Sequence, residues 1–416
     1  MALLPIRPPQ PLGLAPSFGF GDRLGLATLG HVDAMRSHSG PILPVFAQQS
    51  MRELSRTGRR PADVLTDTTF ALESTGYTGI WGADADHITT QEHLNATAGA
   101  GFTLFTIDPT HHVDPHADSY APAVLEHRYR DLRDDIGWAD DYFGKQYVFA
   151  GETVVFEPLA VKRAAVKFGL AIAHAIKLAA HVDRLVAKKG SQYELELCID
   201  ETPQRTTALE HFIIADQCLK SSVRLTSIAL NYVGDLEPAI DYQGSLEEWT
   251  EALRLHRAVA VALGPYKLSL HNGSDKFSLY KILANETQGQ FHVKTAGTSY
   301  LEALRVAARR ERRLFRRIVD FARGRFEADR ATYLVSSRLS QAPTAAAISD
   351  DARLEQLYLD EPAGRQILHV TFGSVLTDSA LGPMLRDVLV EHPDIHREVL
   401  AAHLKKHLVS LESGLP

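Results

Sequence analysis

The 416-residue chain sets 44 Lys and Arg against 51 Asp and Glu, a formal charge of −7, with 45% hydrophobic and 23% charged residues. That balance describes a globular composition with ample core and removes the electrostatic case for nucleic acid or acidic membranes as partners. Two cysteines, Cys198 and Cys218, make no disulfide framework, no apolar run reads as a bilayer span, and Met1 to Pro16 lacks the basic start and cleavage site of a signal peptide, so a cytoplasmic location is expected.

In chain order, strands are predicted in SFGFGDRLGLAT from Ser17, PILPVFAQ from Pro41, GIWGADADH from Gly79 and GFTLFTIDP from Gly101. Far more than one connection then lies between Thr110 and Ser191, including GETVVFEP from Gly151 and a long helix from about 158 to 189. The fifth strand is the one around which the chain is organised. Leu195, Leu197 and Ile199 alternate with Glu194, Glu196 and Cys198, and the strand ends in Asp200-Glu201-Thr202-Pro203 before a helical pattern begins near Thr206. Acids that face the inside of a sheet are costly unless paired, hydrogen-bonded or bound to metal. Carboxylates where a strand hands over to a helix suit a barrel active site. SVRLTSIALNY from Ser222, YKLSLHNG from Tyr266 and QFHVKTAG from Gln290 bring the count to eight.

Eight strand-helix alternations predict a (β/α)8 TIM barrel over residues 1–300, with an insertion after the fourth strand at about 110–190. Residues 301–416 read as a helical extension packed on the barrel. Its basic run ARRERRLFRRI reads as a solvated helix face.

Candidate chemistry gathers at the strand ends. Asp84, Asp86 and His87 close the third strand, and His271 closes the seventh; Asp241 follows the sixth and could equally be a turn residue. His87, Asp241 and His271 together supply two imidazoles and a carboxylate, a set suited to one divalent Zn, Mn, Ni or Fe ion. A second His-rich segment, DPTHHVDPH from Asp108 to His116, is a further candidate for metal or a polar lid hinge. Arg23, Lys276 and Lys294 reach the same rim and would suit a substrate carboxylate, with internal pairing as the alternative. Gly19, Gly21 and Gly25 have the wrong spacing for a dinucleotide fingerprint, so no NAD is expected; no Walker sequence or nucleophile elbow appears.

The blocks SFGFGDRLGLATLGH, LCIDETPQRTTALEH, LSLHNGSDKFSLY, HVKTAGTSYLEAL and RQILHVTFGSVLT resemble the tagaturonate epimerase family. The resemblance implies a metal-dependent barrel enzyme that interconverts D-tagaturonate and D-fructuronate on the route of galacturonate degradation. It further implies Asp86 as proton acceptor, Glu201 as proton donor, and His87, Asp241 and His271 as metal ligands. Two other classes stand beside it: another metal-dependent ketose epimerase or isomerase, and a non-catalytic sugar-binding barrel.

Overall fold

The computed structural model describes residues 6–38, 40–187, 190–202 and 204–416; the start of the N-terminal segment, the end of the predicted long helix and Pro203 lie outside these. Eight parallel strands close into a barrel: β1 (Ser17–Gly21), β2 (Leu43–Ser50), β3 (Gly82–Ile88), β4 (Leu104–Ile107), β7 (Glu194–Ile199), β8 (Leu225–Leu230), β9 (Lys267–Leu270) and β10 (Phe291–Thr295), with β10 paired back to β1. Each barrel strand overlaps its expected segment, with β2 running two residues and β3 one residue past the predicted end. A TIM barrel is the fold. The closing seam pairs Ser17 with His292 and Phe20 with Thr295.

The barrel interior departs from the branched apolar filling usual for this fold. Near its floor, Lys267 donates to Ser17 Oγ at 2.9 Å and Glu194 accepts from the Gly13 amide. Above them Lys294 reaches Asp84, Asp86 and Glu196 at 2.8–2.9 Å, with all four side chains buried. Placing several ions in a dry interior costs several kcal/mol each, and only mutual pairing offsets that. The inward acids of the fifth barrel strand are therefore paired, one of the three fates expected for them.

Between β4 and β7 the chain makes a hairpin of β5 (Gln146–Phe149) and β6 (Glu152–Val155) and then the helix Pro158–Leu185. That helix packs between the helices Gln91–Ala100 and Ala208–Lys220, the place of a barrel's own outer helix. Its 28 residues are long and apolar enough to cross a membrane by length and composition, contrary to the expectation that no such run exists. Ala164, Phe168, Ile172, Ala175 and Leu178 instead bury their face against the barrel.

After β10 the helices Thr298–Arg310 and Arg312–Asp329 build a second apolar cluster with Leu357, Leu368, Phe372 and Leu385. The basic run on these helices is spent on surface pairs: Arg309 donates to Glu355 at 3.0 Å and Arg316 to Asp351 at 2.7 Å. The last helix, Pro393–Glu412, returns to the barrel. Leu400, Leu404, Leu408 and Leu411 join the first core and pack on the helix Thr28–Arg36. The approach is close enough that a Cβ at Gly30 would lie 2.6 Å from that of Leu400.

Candidate active site

The C-terminal mouth of the barrel opens into a cavity of about 680 Å³ lined by Arg23, Arg52, Asp86, His87, Asp200, Glu201, His271 and Lys294, among others. Strict alternation along β3 would point Asp86 and His87 to opposite faces. His87 breaks the rule by adopting φ 53°, and the β3–β4 register shifts there, so both side chains line the cavity. A histidine with positive φ is uncommon and worth a functional reading.

Both imidazoles are oriented from behind. His87 donates Nδ1–H to Asp108 Oδ2 at 2.9 Å, and its Nε2 accepts from Arg52 Nη2 at 2.8 Å. His271 donates Nε2–H to Glu196 Oε1 at 2.7 Å, so its Nδ1 faces Cys198 Sγ at 3.5 Å and Asp200 Oδ1 at 3.5 Å. These tautomers follow from the hydrogen-bond network. Burial alone would weaken His87 as a base, but Asp86 and Asp108 outweigh it and raise its pKa. A carboxylate on one ring nitrogen with the other left for a ligand is the arrangement that supports metal-binding histidines. His271 shows it, whereas both nitrogens of His87 are engaged, by Asp108 and by Arg52, so a metal on Nε2 would have to displace Arg52. Ligand atoms of His87, His271 and Cys198 all lie within 4.8 Å of one another. This donor set fits a divalent transition metal.

Asp241 is placed elsewhere. It caps the helix Phe277–Glu286, accepting from Ser278 Oγ at 2.8 Å and from the Ser278 amide. It is not among the residues lining the cavity. Asp108 lies in the His-rich segment and acts on His87, whereas His111, His112 and His116 lie away from the lining, with His112 stacked on His174. A second convergent group, Asp275 with His403 and His407, has the Arg365 guanidinium on the other Asp275 oxygen at 2.6 Å, which makes it an ion-pair network.

Asp86 and Glu201 share the cavity but differ in surroundings. Burial pushes the Asp86 carboxyl up, and His87 and Lys294 more than reverse this, so it stays ionised. Glu201 is held by Arg52, Nη1 to Oε2 at 2.7 Å and Nη2 to Oε1 at 2.6 Å. Burial pushes its pKa up, but the Arg52 hydrogen bond together with the charges of His87 and Arg52 more than reverses this, so it too is lowered. Asp84, deeper in the barrel, is pushed up to about 6, chiefly by burial.

The three predicted carboxylate-binding cations differ in what they have left to give. Lys276 is fully buried and donates to the carbonyls of Glu237, Ile240 and Ser274, at 2.8, 2.5 and 3.1 Å. Its three N–H groups are thereby used, and it does not line the cavity. Lys294 is likewise committed to its three carboxylates and Thr106. Arg23 pairs with Glu53 through Nε and Nη2, while its Nη1 has no partner among the described residues. Sequence reasoning missed Arg52, Cys198, Tyr333 and His369 as lining or ligand-bearing residues. Arg52 alone carried a local signal, sitting two residues beyond the strand end at Ser50.

A closed parallel barrel whose mouth holds oriented imidazoles, two carboxylates and a cationic wall defines a (β/α)8-barrel enzyme. The sequence profile of the tagaturonate epimerase family matches residues 2–411. The tagaturonate/fructuronate epimerase of Thermotoga maritima is 38% identical over 404 residues, covering 97% of this chain and 82% of its own. A glycerol-complexed crystal structure of fructuronate-tagaturonate epimerase UxaE from Cohnella laeviribosi superposes with a TM-score of 0.90 at 32% identity, covering 97% of this chain and 83% of that one. The native crystal structure of the same enzyme gives the same values. This chain belongs to the tagaturonate epimerase family, which are carbohydrate epimerases of the isomerase class.

Proposed function

We propose that the chain interconverts D-tagaturonate and D-fructuronate with the aid of one divalent metal, by retro-aldol and aldol chemistry. The observation that carries this reading is the family match combined with Asp86 and Glu201 in one cavity beside two carboxylate-oriented imidazoles. The two ketouronates differ at carbon 4, which is β to the keto group at carbon 2, so its hydrogen is not acidified by that carbonyl. Opening of the carbon 3–carbon 4 bond permits the inversion, with hydride removal and return at carbon 4 as the alternative route.

Asp86, ionised beside His87 and Lys294, takes the proton of the carbon-4 hydroxyl. The carbon-4 oxygen becomes a carbonyl as the bond to carbon 3 breaks, and its electrons pass into an enediolate across carbons 2 and 3. The aldehyde half turns over and carbon 3 attacks its other face. Glu201, having first taken a proton from solvent in place of its Arg52 pair, gives it to the new alkoxide, while Asp86 releases its proton to solvent to close the cycle. A bound divalent metal supplies Lewis-acid stabilisation of the enediolate. His87 and His271 would hold it, with Asp241 or Cys198 as the third ligand. Metal content of Asp241→Asn and Cys198→Ser decides between these two. Arg23, through its unpartnered Nη1, grips the substrate carboxylate. Galacturonate degradation and a cytoplasmic setting accord with this reading.

The test is incubation of metal-reconstituted protein with tagaturonate in deuterated water. Fructuronate is expected to appear without carbon-bound deuterium. Deuterium in the product would move the reading to an α-proton-transfer epimerase, and no turnover would leave a sugar-binding barrel.

A further inference from the structure

We infer that His369, contributed by the helical segment beyond the barrel, is a specificity-determining residue that holds the carboxylate end of the sugar acid together with Arg23. The inference rests on the ketouronate reading given above and assigns a wall of that same cavity.

Arg23 is a fixed fork. Glu53 takes Nε and Nη2, and the guanidinium lies 3.6 Å from the centroid of the Phe372 ring. Among the described residues only Nη1 remains without a partner, on a residue that is 3% exposed. A buried donor on a charged group left unsatisfied costs more than the 1–3 kcal/mol or so typical of neutral groups, so an acceptor placed there is strongly favoured.

His369 borders the same cavity from the helix Pro362–Val370, which runs directly toward Phe372. It is 4% exposed, and its Nδ1 also has no partner among the described residues. The ring cannot swing away. A Cβ on Gly297, just beyond β10, would stand 2.1 Å from the ring, and Tyr333 meets it edge-on with centroids 6.0 Å apart. Arg23, Arg365 and Lys276 all bear on this imidazole, opposed by Asp275; burial first, then those cations, keep it uncharged. A neutral imidazole still has one N–H to donate and does not repel Arg23. An anion entering this wall meets a fixed cation and a fixed N–H, whereas an uncharged ketose leaves the charge without its counter-ion.

The decisive variants are His369→Phe, which keeps a ring but removes the N–H, and His369→Asn, whose amide nitrogen stands near the place of Nδ1. Melting temperature, kcat and KM on tagaturonate, and calorimetric affinity for tagaturonate are measured on each. The Phe variant is expected to lose about 10- to 10²-fold in kcat/KM, mostly through KM, and the Asn variant to recover the larger part. A folded Phe variant with wild-type kcat/KM and affinity overturns the inference, as does an Asn variant no better than Phe. If Phe does not fold, His369→Leu replaces it under the same criteria. Absence of turnover by the wild type would instead overturn the ketouronate epimerase reading, and the calorimetric comparison of wild type with variant would then still decide the role of His369.

Discussion

Arg52 and Glu201 meet in a two-pronged pair at the cavity mouth, with both guanidinium nitrogens within 2.7 Å of the carboxylate oxygens. Glu201 is ionised in that pair. As the proposed acid it must trade Arg52 for a proton during each cycle. Arg52→Met should therefore raise the Glu201 pKa, because burial pushes it up and the opposing pair is gone. The expected result is an alkaline limb of the pH–rate profile displaced to higher pH, with kcat at neutral pH held or raised because more of Glu201 carries the proton. An unmoved limb would separate Glu201 from the acid role.

Asp86→Asn and Glu201→Gln keep side-chain shape and remove proton exchange. Each should lower kcat by about 10²- to 10⁴-fold with metal content retained. A loss of metal in step with activity would mark either residue as a ligand instead, and elemental analysis on the same preparations reads this directly.

Lys294→Met leaves Asp84, Asp86 and Glu196 buried without the ammonium that they share. It should cost about 3–5 kcal/mol of unfolding free energy. Adding Glu196→Gln should recover part of that loss, a coupling that urea titration of the double-mutant cycle measures. If Lys294 served only to bind substrate, the single variant would keep its stability and raise KM alone.

Asp108→Asn removes the carboxylate behind His87 without altering the ring that faces the cavity. Divalent-metal affinity should fall about 10- to 100-fold, read by competition with a chromogenic chelator.

His403 bridges Asp275 at 2.7 Å and Glu302 at 3.4 Å. Burial lowers its pKa, but the two carboxylates more than reverse this and raise it above the ordinary 6.5. A histidine raised on folding adds stability that is full below the unfolded value and is lost as pH climbs through the folded one. His403→Gln should therefore lower the melting temperature at pH 6 and leave it nearly unchanged at pH 9, by scanning calorimetry.

The barrel was legible because each strand carries its own local pattern, and the alternation of Glu194, Glu196 and Cys198 with Leu195, Leu197 and Ile199 marked two unlike faces. The site was legible where residues stand at strand ends, as with Asp86, His271 and Glu201. It was not legible where backbone geometry or distant partners decide. His87 reaches the cavity only through a left-handed backbone that no alternation rule foretells. Lys276 and Lys294 look alike in sequence, yet one is spent on carbonyls and the other on carboxylates brought from β3 and β7. Asp241 follows a strand, and nothing local in the sequence foretells that Ser278, thirty-seven positions on, donates to its carboxylate. His369 lies on a helix and Tyr333 in a bend, both far in sequence from any barrel strand, so only tertiary packing delivers them to the cavity.

The final helix rests against the helix that follows β1, and β1 itself closes on β10. On the ribosome, β1 and the helix that follows it thus wait with an uncovered flank long after they have emerged. Synthesis of residues 291–295 lets the seam zip, but the leucine ladder of Leu400, Leu404, Leu408 and Leu411 arrives only once residues 400–411 are made. A premature stop ahead of Leu400 would leave β1 and its helix without their cover, so an early segment depends for its shelter on one translated far later.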